Sequence, residues 1–166
     1  VSFEFFPTKT DEGERALLEK TIPALRTLNP DFCSVTYGAG GGTRDKTLGI
    51  VDRIQREHEI TAMAHLTCVN ATIDETRTVL EQTRALGITN VLALRGDPPN
   101  GSEFVRTDGG FEYSYQLVQC IREVGEFSIG VAYQTPYAKA ELIPALLREI
   151  IGGKEHVRLE RANFKE

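Results

Sequence analysis

Five short runs of apolar and β-branched residues, Val1 to Phe6, Phe32 to Thr36, Thr61 to Thr67, Asn90 to Leu94 and Phe127 to Ala132, divide the chain. They have the length and composition of strands, and the segments between them carry a helical period instead. In the first of these segments Thr10 or Asp11 opens a helix as N-cap, Leu17, Leu18, Ile22, Leu25 and Leu28 fall on one face, and Asn29-Pro30 ends it. A second helix is predicted from about Thr43 to His58, with Leu48, Ile50, Val51 and Ile54 apolar. A third runs from about Thr72 to Leu86, with Gly87 just beyond its C-cap, and a fourth from Glu112 to Val124. Strands recur about every 30 residues, the length of a βαβ unit, and right-handed crossovers then make the sheet parallel.

Two architectures satisfy this alternation, the doubly wound open sheet and the eightfold barrel. The stretch Gly38-Ala39-Gly40-Gly41-Gly42 follows the second predicted strand instead of the first and contains no GxGxxG, and no GxxxxGK followed by Ser or Thr occurs anywhere. The nucleotide fingerprints of open sheets are therefore missing. Polar residues stand instead just past the carboxyl ends of several strands, in Thr36-Tyr37-Gly38-Ala39, His65-Leu66-Thr67-Cys68 and Arg95-Gly96-Asp97-Pro98-Pro99, as in sites that barrels assemble. The expectation is an α/β chain with about five βα units of a partial (βα)8 TIM barrel. The chain begins without Met and ends at Ala162 to Glu166 in what reads as uncapped helix interior, so an incomplete barrel is expected.

Composition narrows the partners. The 166 residues are 40% hydrophobic and 26% charged, ordinary for a globular protein with a sizeable core. A formal net charge of -5 argues against a dedicated binder of nucleic acid or anionic membrane. No apolar stretch approaches the roughly 20 residues of a membrane-spanning helix, and no signal peptide is visible. Cys33, Cys68 and Cys120 are odd in number, lack CxxC spacing and lie in or beside apolar segments, so reduced core thiols of a cytoplasmic protein are expected. No metal site is expected either, because His58 and His156 sit in polar segments without ligand spacing to His65.

Candidate chemistry begins at Ser2-Phe3-Glu4-Phe5-Phe6-Pro7. Glu4 lies inside a strand-like run and is expected where water is scarce; desolvation there favours the protonated carboxyl, which suits a general acid. The structural alternative is a carboxylate satisfied by a neighbouring strand or an Arg. Arg95 and Asp97 either pair across their turn, or Gly96 admits a ligand closely while the Arg95 guanidinium offers forked donors to a phosphate or ring edge. His65 alone reads more readily as a core histidine than as a catalyst. Tyr113 and Tyr115 follow a long Gly/Pro-rich loop, Pro98 to Gly110, where aromatics either pack or stack on a planar ligand.

Four segments then carry a resemblance: VSFEFFP at the start, SVTYGAGGGTRDKT at the second strand, HLTC at the third and NVLALRGDPP at the fourth. In this order and spacing, over Val1 to about Ala132, the chain resembles the methylenetetrahydrofolate reductase family. The resemblance implies a flavin-dependent (βα)8-barrel oxidoreductase of one-carbon metabolism and methionine biosynthesis. It implies FAD as bound cofactor, NAD(P)H as hydride donor, and a small-molecule folate substrate, methylenetetrahydrofolate, reduced to methyltetrahydrofolate. It also implies roles for residues. Glu4 falls on the catalytic acid, which protonates the folate as its five-membered ring opens. Thr36, Tyr37, Ala39, His65, Arg95, Gly96 and Asp97 fall on positions around FAD, Tyr113 and Ser114 on a further flavin-contacting stretch, and Asp97 also lies close to the pterin as a second catalytic residue. A homo-oligomer is compatible with this reading.

The resemblance lapses where the family carries Tyr-Pro-Glu-x-His and this chain reads Tyr133-Gln134-Thr135-Pro136-Tyr137. Residues 133–160 read as divergent and 161–166 as family-like again, all within one incomplete barrel domain, 1–166. The alternative function is a non-catalytic barrel fragment or interaction module that binds flavin weakly or not at all.

Overall fold

The order of the strands decides the architecture. A computed structural model describes residues 1–37, 43–97 and 103–132. In it β1 (Ser2–Phe5), β2 (Phe32–Val35), β3 (Ala62–Thr67), β4 (Asn90–Leu94) and β5 (Ser128–Val131) lie side by side in chain order, all parallel. Each lies within one residue of its predicted bounds. Right-handed crossovers that step always to the next strand leave every helix on the same side of the sheet, whereas a doubly wound sheet reverses direction and is covered on both.

Register identifies the two faces. Cys33, Val35, Ala64, Leu66, Val91 and Ala93 share the helix side and are at most 5% exposed. Glu4, Ser34, Met63, Leu92 and Gly130 share the other face, much of which is only half buried. One-sided winding with an open inner face is that of a partial (βα)8 barrel.

The first predicted helix is a rod of three segments, α1 (Asp11–Ala16), a π-helical turn (Leu17–Thr21) and α2 (Ile22–Arg26). Thr10 caps it by accepting from the Gly13 N–H. The π turn has a cause in the sequence. Pro23 has no N–H for the carbonyl one turn earlier and its ring would crowd that carbonyl; the wider turn, in which Ile22 N–H reaches Leu17 O, relieves both. Leu17, Leu18 and Ile22 are buried as expected. Leu28, expected on the same face, is 59% exposed, because the rod stops at Arg26 and Asn29 turns left-handed at φ 48.

Both α3 (Arg44–His58) and α4 (Ile73–Ala85) fall where the periodicity predicts. At the start of α4, Thr72 and Glu75 form a reciprocal capping box. At its end Gly87, at φ 70, donates to Arg84 O and Ile88 donates to Thr83 O, which satisfies the last carbonyls. The fourth predicted helix begins later than expected, as α5 (Ser114–Val124), because the Gln116 side chain accepts from the N–H groups of both Glu112 and Tyr113. The three cysteines are free and buried. Among the described residues no helix is long and apolar enough to cross a membrane. Ala39 and the expectations for residues 133–160 and 161–166 lie outside the described residues.

Thr72→Ala removes the acceptor for the Glu75 N–H and leaves the Glu75 carboxylate without its hydroxyl partner. It should lower the unfolding free energy by about 1 kcal/mol, read as a lower urea midpoint at unchanged slope; a midpoint equal to that of the unsubstituted chain would show that the box contributes nothing.

Candidate active site

Two groups of side chains stand at the carboxyl ends of the strands, and the first joins β1 to β3. Glu4 is level with Ser34 on β2, which is level with Met63 on β3, so His65 stands two residues further toward the carboxyl end. The whole of β2 lies between them, a separation of roughly two strand spacings of ~4.8 Å. Even so, Glu4 Oε2 comes within 3.4 Å of His65 Nε2. Side chains converge across an intervening strand on the concave face of a curled sheet, and this contact is therefore also a sign of barrel curvature.

The two members of the pair differ in surroundings. His65 is 6% exposed, and its Nε2 is buried without a hydrogen-bond partner; Glu4 is an ionic neighbour that is too poorly directed to bond it. Burial pushes the imidazole pKa down, and the Glu4 carboxylate only partly offsets this, so the neutral ring is favoured. The Glu4 side chain is 53% exposed. That corrects the expected burial. Strand alternation sends Phe3 and Phe5 to the opposite, helix-facing side, Phe6 is itself 72% exposed, and β1 is an edge of the sheet. The phenylalanines adjacent in sequence do not enclose the carboxyl.

Between these two strands the end of β2 is held firmly. Thr36 N–H donates to Phe5 O at 2.8 Å, and Thr36 O accepts from Thr47 Oγ1 at 3.0 Å, which ties β1, β2 and α3 together. Burial pushes the Tyr37 phenol up to about 12 against the pull of Arg44, so it remains a neutral donor. Arg44 in turn donates to Asn70 O at 2.9 Å, and Asn70 is left-handed at φ 52. Arg44 and Thr47 lie within the quoted SVTYGAGGGTRDKT segment but had no role assigned from the sequence, because their parts depend on which loop lies against α3.

The second group gathers at the end of β4. Arg95 does not pair with Asp97 among the described residues. Its Nε donates to Glu112 O at 3.1 Å, and its guanidinium carbon lies 4.0 Å above the Phe104 ring and 5.6 Å from that of Tyr113. Asp97 is exposed. Gly96 has φ 81, and a Cβ there would come within 2.8 Å of Thr67 Cβ and Val69 Cγ2. Its glycine is thus required by β3 and the turn after it, whatever else approaches. Tyr113 and Tyr115 are about half exposed and stack at 5.9 Å, and Ser114 is the first residue of α5. Phe104 had no mark in the sequence beyond its place in the Gly/Pro-rich loop. The end of that loop is fastened: Ile73 N–H donates to Gly109 O, Thr72 and Gly110 form a bridge, and a Cβ on Gly110 would collide with Ala71 O. Beside it, burial pushes the Cys68 thiol up to about 12, which makes it a packing group and no nucleophile.

A family described as methylenetetrahydrofolate reductase matches residues 1–146. The chain is 46% identical over 147 residues to "Methylenetetrahydrofolate reductase (NADH) 1" of Arabidopsis thaliana, a match that covers 87% of this chain and 24% of that protein. It is 44% identical over 132 residues to the "5,10-methylenetetrahydrofolate reductase" of Escherichia coli K12, covering 80% of this chain and 43% of that one. The chain thus spans less than half the length of these curated relatives. Among solved structures, a dihydrodipicolinate synthase from Agrobacterium tumefaciens superposes with a TM-score of 0.50 at 18% identity, over 81% of this chain and 45% of that one. That likeness is one of fold, to a (βα)8 barrel.

Because burial holds His65 below its ordinary value of about 6.5, the folded chain binds fewer protons there than the unfolded one between the two values. The stability from keeping this imidazole neutral is complete above the unfolded value and is lost as pH falls through the window below it. The urea midpoint should therefore drop as pH falls below about 6.5, and His65→Gln should flatten the drop. Identical pH slopes in the two proteins would assign the dependence to another group.

Proposed function

Because the chain belongs to the methylenetetrahydrofolate reductase family, we propose that it acts in the flavin-dependent reduction of methylenetetrahydrofolate to methyltetrahydrofolate, with NAD(P)H as hydride donor. The observation that carries this reading is His65 Nε2, a buried polar atom left without a partner on the concave face beside a carboxylate, where a native fold ordinarily satisfies such groups. It fits a polar working site on the inner face and not a packed core. The rest of the strand-end chemistry suits FAD. Arg95 lies over Phe104 and, among the described residues, is tied through Nε, which leaves its terminal nitrogens to suit an anionic or ring-edge acceptor, and the Tyr113–Tyr115 pair is about half exposed for stacking.

Thr36, Tyr37, His65, Arg95, Gly96, Asp97, Tyr113 and Ser114 would hold FAD, with Ala39 in the same set. Bound there, FAD supplies the redox chemistry between nicotinamide and folate. The residues of the chain do the rest. Glu4 gives a proton to the folate nitrogen as the ring opens, and its half-exposed position lets solvent return that proton. Asp97, a negative charge at the end of β4, favours the cationic form of the opened folate. The name of the plant relative favours NADH as donor. Three free buried thiols support a reducing, cytoplasmic compartment, and a homo-oligomer remains compatible. The same reading takes 1–166 as one incomplete barrel domain. A second reading has its own support: among the described residues the sheet ends at β1 and at β5 and its inner face is half exposed, so the isolated chain would bind flavin weakly and serve as a non-catalytic module.

The test uses a complete barrel that carries this segment. Glu4→Gln keeps the volume of the side chain but removes the transferable proton. NAD(P)H oxidation should continue at close to the normal rate, while folate reduction slows at least ~10²-fold, the two being followed separately at the flavin absorbance in stopped flow. Unimpaired folate reduction would remove Glu4 as the acid, and a colourless protein would remove the flavin reading altogether.

A further inference from the structure

The contact between Glu4 and His65 has more content than proximity. Within the five strands, the concave face set by the register carries no ionisable side chain besides these two. His65 is level with Leu92 on β4, its neighbours on the same face of its own strand are Met63 and Thr67, and none of them is hydrogen-bonded to Nε2. The imidazole is fixed by burial, whereas Glu4 is half exposed and free to turn. The 3.4 Å approach is a few tenths of an ångström longer than an ordinary hydrogen bond, and the half-exposed Glu4 side chain is the member of the pair with room to close it.

We propose that His65 is a positioning residue for Glu4: its Nε2–H donates to Glu4 Oε2 and leaves Oε1 as the oxygen that carries the transferable proton. The proposal rests on the reading of Glu4 as the acid. In the protonated state Oε2 is the carbonyl-like acceptor of the imidazole N–H, and the Oε1–H bond points to the open face. When the substrate nitrogen takes that proton, the Oε1–H bond breaks and its electron pair stays on the carboxylate. The Nε2–H···Oε2 contact then becomes charge-assisted and strengthens, so the conjugate base is stabilised in proportion to the proton's departure. A neutral ring is required, since an imidazolium would hold the carboxylate in its ionised form and withhold the proton.

The experiment is a double-mutant cycle in the complete reductase, with rates expressed per bound flavin. His65→Gln should slow folate reduction about tenfold, Glu4→Gln about a hundredfold, and the double variant should be no slower than Glu4→Gln within about twofold. Multiplying effects in the double variant would show that His65 acts apart from Glu4 and would overturn the proposal while leaving Glu4 as the acid. A normal rate in Glu4→Gln would overturn the acid itself, and this proposal with it. Loss of flavin from His65→Gln with an unchanged rate per bound flavin would make His65 a flavin contact only. A readout without turnover is the ¹⁵N spectrum of the His65 ring in flavin-free protein. It should show the Nε2–H tautomer with a shift that moves on Glu4→Gln; an Nδ1–H ring, or one indifferent to Glu4, would also overturn the assignment.

Discussion

The constraint on which the rest depends is the one-directional winding of the sheet. Each crossover adds its strand beside the previous one, so all helices are committed to one face and the other is left to curl inward. The helix side closes into a dry core built on Ile22, Ile50, Ile54, Leu80, Leu117 and Ile121, each less than 2% exposed. The inner face inherits the residues that a packed two-sided sheet would not tolerate, a carboxylate, a histidine and the polar strand ends. Fold and chemistry are thus separated by the pleat: one set of alternate residues provides stability and the other is available for a ligand.

The strands and helices that underlie this separation were legible in the sequence, but the faces were not. Strand positions were readable because β-branched runs are short and sharply bounded by turn residues, and α4 was readable because Thr72, Glu75 and Gly87 mark both of its ends locally. The errors have a common origin. Leu28 fits the helical period, but the period says nothing of where Asn29 will leave the helical region. Glu4 was expected to be enclosed because its sequence neighbours are phenylalanines, yet in a strand adjacent residues face opposite ways, and the carboxyl's surroundings are set by β2 and β3, thirty and sixty residues away in the chain.

The candidate site divides in the same manner. That polar residues cluster at strand ends follows from the local motifs, and the family match agrees with it. How they are held does not follow from them. Arg95 and Asp97 are two residues apart and oppositely charged, but the guanidinium lies on Phe104 and bonds the Glu112 carbonyl, because planar stacking and a fixed backbone acceptor outcompete an exposed ion pair worth little in water. Gly96 likewise has its reason in Thr67 and Val69, side chains on a different strand and the turn after it.

The double closure of α4 bears on how the chain acquires its structure. β3 and β4 share the longest register in the sheet, from Met63–Asn90 to Thr67–Leu94, and the helix that links them begins and ends on signals encoded within its own few residues. The first rod, by contrast, contains a π turn, and α5 depends on a long loop being fastened first. The segment β3–α4–β4 therefore closes its loop at low entropic cost and with the least help from elsewhere, which makes it the natural nucleus. Growth from that centre would add β2 on one side and β5 on the other, leaving β1, and with it Glu4, among the last parts of the sheet to dock and the first to open.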